Sequence, residues 1–132
     1  MKKLFSLIVM MVTMTTSYAQ KQLVLYYSET GTTKAVAQEL QKQLGADIEE
    51  IEAVEPYSGI FQETIQRGQR EMQSGEMPAL KPLKKKIADY DIIFLGYPIW
   101  FGTYANPIIT LIKEQDFAPR YLKYLGNLLM TA

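Results

Sequence analysis

A short, hydroxyl-rich stretch near the start of the chain could bind a phosphate group. It lies between the apolar run 23–27 and an amphipathic segment, which predicts a turn from a strand into a helix. The unpaired N–H groups and the dipole at a helix start attract a phosphate, and hydroxyls add further donors. The stretch 28–33 has no Lys or Arg, so it suits a phosphomonoester held by neutral donors. Plain turns and helix caps use the same residue types, so both interpretations are open from this stretch alone.

A second stretch, at 97–104, is rich in aromatic residues and follows the predicted buried strand 91–96. Its aromatic side chains could simply cover the core. Alternatively, they could form a slot for a flat ring, with Trp100 and a tyrosine as walls and Gly102 allowing close backbone contact. A phosphate site after one strand and a ring slot after another suggest a ligand with a phosphate at one end and a flat ring at the other.

The two stretches together resemble the cofactor loops of the flavodoxin-like family. The residues at 28, 30, 31 and 33 are similar to the family's loop for the phosphate of flavin mononucleotide (FMN). The segment 96–102, Gly-Tyr-Pro-Ile-Trp-Phe-Gly, is similar to the loop that flanks the isoalloxazine ring. Tyr90-Asp91 and Asn106-Pro107 also fit the family, and the resemblance covers about residues 22–117.

The resemblance implies an FMN cofactor that itself carries out electron or hydride transfer, with an unknown redox partner. Trp100 would stack on the ring, and the backbone at 100–102 would face the polar edge of the ring. Glu29 is expected to point to solvent, because a carboxylate near the phosphate would be repelled. No catalytic side chain and no metal ligand is implied, and Tyr97 and Tyr104 are weaker cofactor candidates. The implied cofactor-binding residues are Ser28, Glu29, Thr30, Gly31, Thr32, Thr33, Pro98, Trp100, Phe101, Gly102 and Tyr104.

Composition excludes several other classes of protein. The 132 residues include 14 basic and 14 acidic side chains and no His or Cys. The balanced charge lacks the basic excess that is typical of nucleic-acid binding. The absence of His and Cys excludes a Ser-His or Cys-His nucleophile and a disulfide, and it disfavours a typical zinc or haem site. The loop 28–33 also lacks the Gly-Lys-Ser/Thr ending of a nucleoside triphosphatase and the three glycines of a dinucleotide-binding fold.

Residues 1–19 have the pattern of an export signal peptide. Lys2 and Lys3 precede an apolar core at 4–12, and small residues stand near a cleavage point after Ala19. The apolar run is too short to span a bilayer comfortably, so no stable membrane anchor is expected after cleavage. The remaining chain has 12 basic and 14 acidic residues, a formal charge of −2. We therefore expect export to the bacterial periplasm or beyond.

The rest of the chain alternates between strands and helices. Strands are predicted at 23–27, 47–53 and 91–96, and helices at 32–44, 59–73, 80–88 and 106–114. The second helix is expected to turn Phe61, Ile65 and Met72 inward. This alternation predicts an α/β fold, a three-layer parallel sheet with helices on both faces. The family resemblance implies strand order 2-1-3-4-5, with the flavin at the switch point between strands one and three.

The segment after residue 117 departs from the family pattern. The resemblance implies two further strands, a closing helix and a third flavin-contacting loop, which the sequence of 118–132 does not show. Its apolar residues at 121, 122, 124, 125, 128 and 129 are spaced as in a helix. We therefore expect a partial flavodoxin-like domain at 20–117 that lacks the last strands and helix, followed by a divergent tail at 118–132. The third strand would then be an exposed edge and the domain only marginally stable. The alternative function is a truncated, non-catalytic remnant or binding module that holds no flavin.

Overall fold

The computed structural model describes residues 20–117 and the strand at 121–125. The predicted signal peptide lies outside the described residues, so it stays a prediction. In chain order the elements are β1 (Gln22–Tyr26), α1 (Thr32–Leu44), β2 (Asp47–Glu50), α2 (Phe61–Ser74), β3 (Ile92–Gly96), β4 (Ile99–Trp100), β5 (Thr103–Tyr104), α3 (Asn106–Glu114) and β6 (Tyr121–Leu125).

The main sheet has the order β2-β1-β3-β6, and every neighbouring pair of strands is parallel. β1 is central and buried on both faces, as expected for a parallel strand with helices on either side. On one face Leu25 and Leu95 pack with Ile108 of α3. On the other face Val24 packs with Ala37 of α1. The predicted α/β fold with three layers is therefore confirmed.

The tail contains the fourth strand of the sheet. β6 pairs with β3 in parallel, from Ile92 opposite Tyr121 to Gly96 opposite Leu125. The helix predicted for this segment is wrong over 121–125, and so is the prediction that β3 forms an edge. A short apolar run cannot be assigned to a helix or a buried strand by periodicity alone. Here the run forms a strand because the backbone N–H and C=O groups on the outer edge of β3 need hydrogen-bond partners. The stability loss expected from an open β3 edge therefore has no basis in the structure.

The predicted helix at 80–88 is also absent. Only Ile87–Asp89 forms a short 3₁₀ turn. Pro82 disfavours helical geometry at the residue before it, and Lys81 instead donates its N–H to the carbonyl oxygen of Glu52 at 2.8 Å. The Glu49 carboxylate accepts the N–H groups of Lys84 and Lys85 at 2.9 and 2.8 Å. These hydrogen bonds hold the segment beside the end of β2.

β4 and β5 form a small antiparallel hairpin directly after β3. Its two turn residues, Phe101 and Gly102, have φ values of 53° and 77°. Positive φ at both positions is typical of a type I′ turn, which usually contains Asn-Gly or Asp-Gly rather than a Phe. Phe101 therefore has a backbone conformation that is unfavourable for its residue type, and it lies in the stretch predicted to contact a ring.

A buried tyrosine links β2 to the segment before β3. The Tyr90 hydroxyl donates to Asp47 Oδ2 at 2.6 Å, and burial together with this carboxylate raises the pKa of Tyr90 from 10 to about 12. The stability that comes from the raised pKa is fully present below pH 10 and is lost as the pH rises through about 12.

We expect Tyr90→Phe to flatten the fall in unfolding free energy between pH 10 and 12, because the variant has no phenol to ionise at this site. Asp47→Asn should flatten it as well, since it removes the charge that opposes ionisation. Urea melts of the wild type and both variants across this pH range measure the effect. Identical pH profiles for all three proteins would contradict the assignment.

Among the residues described, no helix has both the length and the apolar character needed to cross a membrane.

Candidate functional site

A cleft of about 360 Å³ lies where the loop after β1, the loop after β3 and the start of α2 meet. Its volume is within the range of small-molecule sites, roughly 300–1,000 Å³. It lies beside the carboxyl ends of β1 and β3, the position where ligands bind in open parallel sheets. The lining residues are Glu29, Thr30, Thr33, Gly59, Phe61, Thr64, Ile65, Pro98, Ile99, Trp100 and Phe101.

The loop after β1 is shaped by its own side chains. Ser28 Oγ accepts the N–H groups of Gly31 and Lys34, at 3.1 and 3.2 Å. Gly31 has a φ of 97°, a left-handed conformation that suits glycine, and α1 begins at the next residue. The oxygen of Ser28 thus organises the turn, while its hydroxyl proton can still be donated. The result is a helix start at Thr32, between the cleft-lining residues Thr30 and Thr33, and this end of the helix carries the partial positive charge of the dipole.

Glu29 does not point freely to solvent as expected. It is half-buried, and its Oε2 accepts the hydroxyl of Tyr27 at 2.5 Å. Burial and this hydrogen bond raise the pKa of Tyr27 well above its ordinary value, so Tyr27 remains a protonated donor. The Tyr27 contact therefore gives the Glu29 carboxylate a fixed partner at the edge of the cleft.

Two tyrosine rings hold Trp100 in place. Trp100 meets Tyr27 and Tyr57 edge to face, with centroid distances of 5.8 and 5.0 Å, and the two tyrosine rings are 6.4 Å apart. The Arg67 guanidinium lies 3.9 Å above the Tyr57 ring. Edge-to-face geometry is favourable for aromatic pairs and restricts the indole to one orientation. Trp100 is thus a pre-oriented wall of the cleft.

A polar network fixes α2 beside this aromatic cluster. Glu71 receives the Tyr57 hydroxyl at 2.5 Å and Arg67 Nε at 3.2 Å. Asn106 Nδ2, fully buried at the start of α3, donates to Glu71 Oε1 and to the carbonyl oxygen of Gly68, both at 3.1 Å. Arg67 is therefore engaged with Glu71 rather than with the cleft, and among the described residues that line the cleft Glu29 is the charged one.

The wall formed by α2 is absent from the sequence-based site. Phe61 was expected inward but is 73% exposed, and it lines the cleft together with Ile65. Met72 is exposed as well, and Ile65 is half-buried. A Cβ at Gly68 would lie 3.0 Å from Phe101 Cε2, so this helical glycine makes room for the Phe101 ring. An isolated glycine in a helical pattern often marks a place where another group packs closely. Gly68 was therefore the signal in the sequence that could have indicated a contact on this side of α2.

The structure places the predicted site residues in three groups. The first group lines the cleft and consists of Glu29, Thr30, Thr33, Pro98, Trp100 and Phe101. The second group belongs to the same loops without lining the cleft and consists of Ser28, Gly31, Thr32 and Gly102. The third group is Tyr104 alone. Its half-buried side chain packs against the core, with its ring centroid 5.1 Å from that of Tyr97. Across residues 20–117, no three acidic side chains are grouped closely enough to hold a metal ion.

Known proteins resemble this chain in sequence and in fold. The model of a family described as Flavodoxin matches residues 21–124. A protein from Bacteroides eggerthii assigned as a flavoprotein is 31% identical over 82% of this chain and 70% of its own, with a TM-score of 0.74. A second such protein, from Bacteroides uniformis, is 30% identical over 82% of this chain and 72% of its own, with a TM-score of 0.72.

A third solved structure is a flavoprotein from Lactobacillus acidophilus in complex with FMN. It is 23% identical over 82% of this chain and 91% of its own, with a TM-score of 0.67, which shows a shared fold. No curated protein matches the chain.

Proposed function

The chain belongs to the flavodoxin family, and on this premise we propose that it binds FMN in the cleft between the loops after β1 and β3 and serves in electron or hydride transfer. The observation that carries the proposal is the placement of Thr30 and Thr33 in the same cleft as Trp100. Residues far apart in the sequence thus present phosphate donors and a flat aromatic wall to one ligand. The related fold that holds FMN in the Lactobacillus acidophilus protein supports the choice of cofactor.

The phosphate end of FMN would lie at the start of α1. Thr30 offers a hydroxyl donor, the buried Thr33 forms part of the same wall, and the helix dipole adds partial positive charge. Lys34 does not line the cleft, and its Nζ is 3.9 Å from Glu50 Oε2. Neutral donors and a helix terminus can hold a phosphate, and the Glu29 carboxylate in the lining is held by the Tyr27 hydroxyl, so the residues present fit this group. No basic side chain in the described part of the cleft lining would neutralise the negative charge of the phosphate.

The ring end of FMN would lie against Trp100. Pro98, Trp100 and Phe101 supply apolar surface, and the three-ring cluster keeps the indole in a fixed orientation. When bound, the flavin supplies the redox chemistry. The chain contributes binding, orientation and exclusion of water. The Glu29 carboxylate and the phosphate both disfavour added negative charge nearby, so a midpoint potential below that of free FMN is expected.

Titration of FMN with the purified chain, followed by flavin fluorescence, tests the proposal. We expect saturable quenching by the wild type and binding about tenfold weaker or worse for Thr30→Ala, because a hydrogen bond to a charged group contributes about 1.5–3 kcal/mol. Ser74→Ala also removes a hydroxyl, but at the far end of α2, and should bind like the wild type. If the folded wild type does not quench FMN, the alternative of a binding module without flavin replaces this proposal.

A further inference from the structure

A tyrosine outside the cleft contacts the indole that forms the ring wall. Tyr57 is buried, and its ring centroid lies 5.0 Å from that of Trp100, with an angle of 78° between the two ring planes. Tyr57 lines a neighbouring cavity of about 300 Å³ and not the cleft itself. Any effect of Tyr57 on a ligand in the cleft would therefore be indirect, through Trp100.

Tyr57 is itself held at two further points. Its hydroxyl donates to Glu71 Oε1 at 2.5 Å, and the Arg67 guanidinium lies 3.9 Å from the centroid of its ring. Burial and the Glu71 carboxylate raise the pKa of Tyr57 well above its ordinary value, so the hydroxyl remains a donor. Glu71 Oε1 also accepts Asn106 Nδ2, from the buried start of α3, at 3.1 Å. The ring that meets Trp100 is therefore anchored to both α2 and α3.

We propose that Tyr57 is a positioning residue that holds the Trp100 indole in the orientation that stacks on the flavin ring. This inference rests on the proposed function and assigns a role in ring binding to a residue outside the cleft. Tyr27, the other ring against the indole, is farther away, at a centroid distance of 5.8 Å. Without the Tyr57 ring, the indole would have to be ordered when the flavin binds. Ordering one side chain on binding weakens affinity by about 2- to 12-fold.

Three variants at this position separate the ring from the bulk of the side chain. Tyr57→Leu and Tyr57→Met remove the ring, and the flexible methionine adapts to the space that is left. Tyr57→Phe keeps the ring that meets Trp100. Each purified variant is titrated with FMN and with riboflavin, which has the same ring and no phosphate. We expect the two ring-free variants to weaken both ligands by similar factors of about 2- to 12-fold, and Tyr57→Phe to bind both like the wild type.

Trp100 is the one tryptophan of the chain, so its fluorescence anisotropy reports how firmly the indole is held when no flavin is present. We expect the anisotropy to fall in the ring-free variants and to be retained in Tyr57→Phe. Tyr90→Leu is the matched control, because it removes another buried tyrosine just before β3, at the opposite end of that strand from the cleft. It should lower the melting temperature while leaving the Trp100 anisotropy and the flavin affinity unchanged.

The combination of Tyr57→Leu with Trp100→Ala gives the decisive readout, since a residue that acts through the indole has nothing to position once the indole is gone. We expect the double variant to bind riboflavin within about twofold of Trp100→Ala alone. A further loss in the double variant, or wild-type flavin affinity of a folded ring-free variant, would overturn the inference and leave the proposed function intact. Unchanged Trp100 anisotropy in the ring-free variants would overturn it as well. Failure of the folded wild type to bind either flavin would reject both.

Discussion

Trp100→Ala is expected to weaken FMN binding by roughly 5- to 150-fold while the chain stays folded. Stacking of a flat base on an aromatic side chain contributes about 1–3 kcal/mol when measured by alanine substitution, and a flavin ring should behave similarly. Trp100 is half-buried and oriented by Tyr27 and Tyr57, so its indole meets a ligand without first losing much freedom. The loss should therefore appear as weaker binding of the ring.

Isothermal titration of FMN into Trp100→Ala, Trp100→Phe and the wild type measures this effect. Trp100→Phe keeps a smaller aromatic face and should fall between the other two. Met72→Ala is the matched control, because it removes an exposed apolar side chain from α2 outside the cleft. Unchanged FMN affinity of a folded Trp100→Ala chain would place the ring elsewhere.

Deletion of residues 118–132 is expected to cause the largest loss of folding stability. β3 pairs with β1 on one edge and with β6 on the other, so the deletion leaves the backbone groups of a central strand open. Each backbone hydrogen bond contributes about 0.5–1.5 kcal/mol. Loss of the whole β3–β6 pairing therefore removes much of a domain's typical stability of roughly 5–15 kcal/mol. The deletion variant should also aggregate through the open edge.

Urea melts and size-exclusion chromatography of the deletion variant test this expectation. Lys123→Ala is the control, since it keeps the backbone that pairs opposite Phe94 in the middle of β6. It should unfold at nearly the wild-type urea concentration. A deletion variant that is monomeric and as stable as the wild type would show that β6 contributes little to the sheet.

The elements that the sequence predicted well have strong local patterns. α1 was predicted with its observed bounds because hydroxyl residues precede it and Gly45, in a left-handed conformation, ends it. α3 begins at Asn106-Pro107, and proline is favoured in the first turn of a helix. The apolar run of β3 is buried in the sheet, as a parallel strand should be.

The features that the sequence missed depend on distant partners. The five residues of β6 have no alternating pattern, and their structure follows from the open edge of β3, which is distant in the sequence. Phe61 lies on a helix whose apolar residues suggest a core face, yet it is exposed and lines the cleft. The contact of Glu29 with Tyr27 also arises only after the loop has folded. Tertiary contacts of this kind leave little trace in local composition.

The most direct test of a flavin bound with its phosphate at the start of α1 is a side-by-side titration of the wild type with FMN and riboflavin. The phosphate is the difference between the two ligands, and it would contact Thr30, Thr33 and the helix start. We expect FMN to bind about tenfold tighter or more, and inorganic phosphate to compete with FMN but not with riboflavin. Equal affinity for both ligands, or no binding of either by the folded chain, would contradict the account.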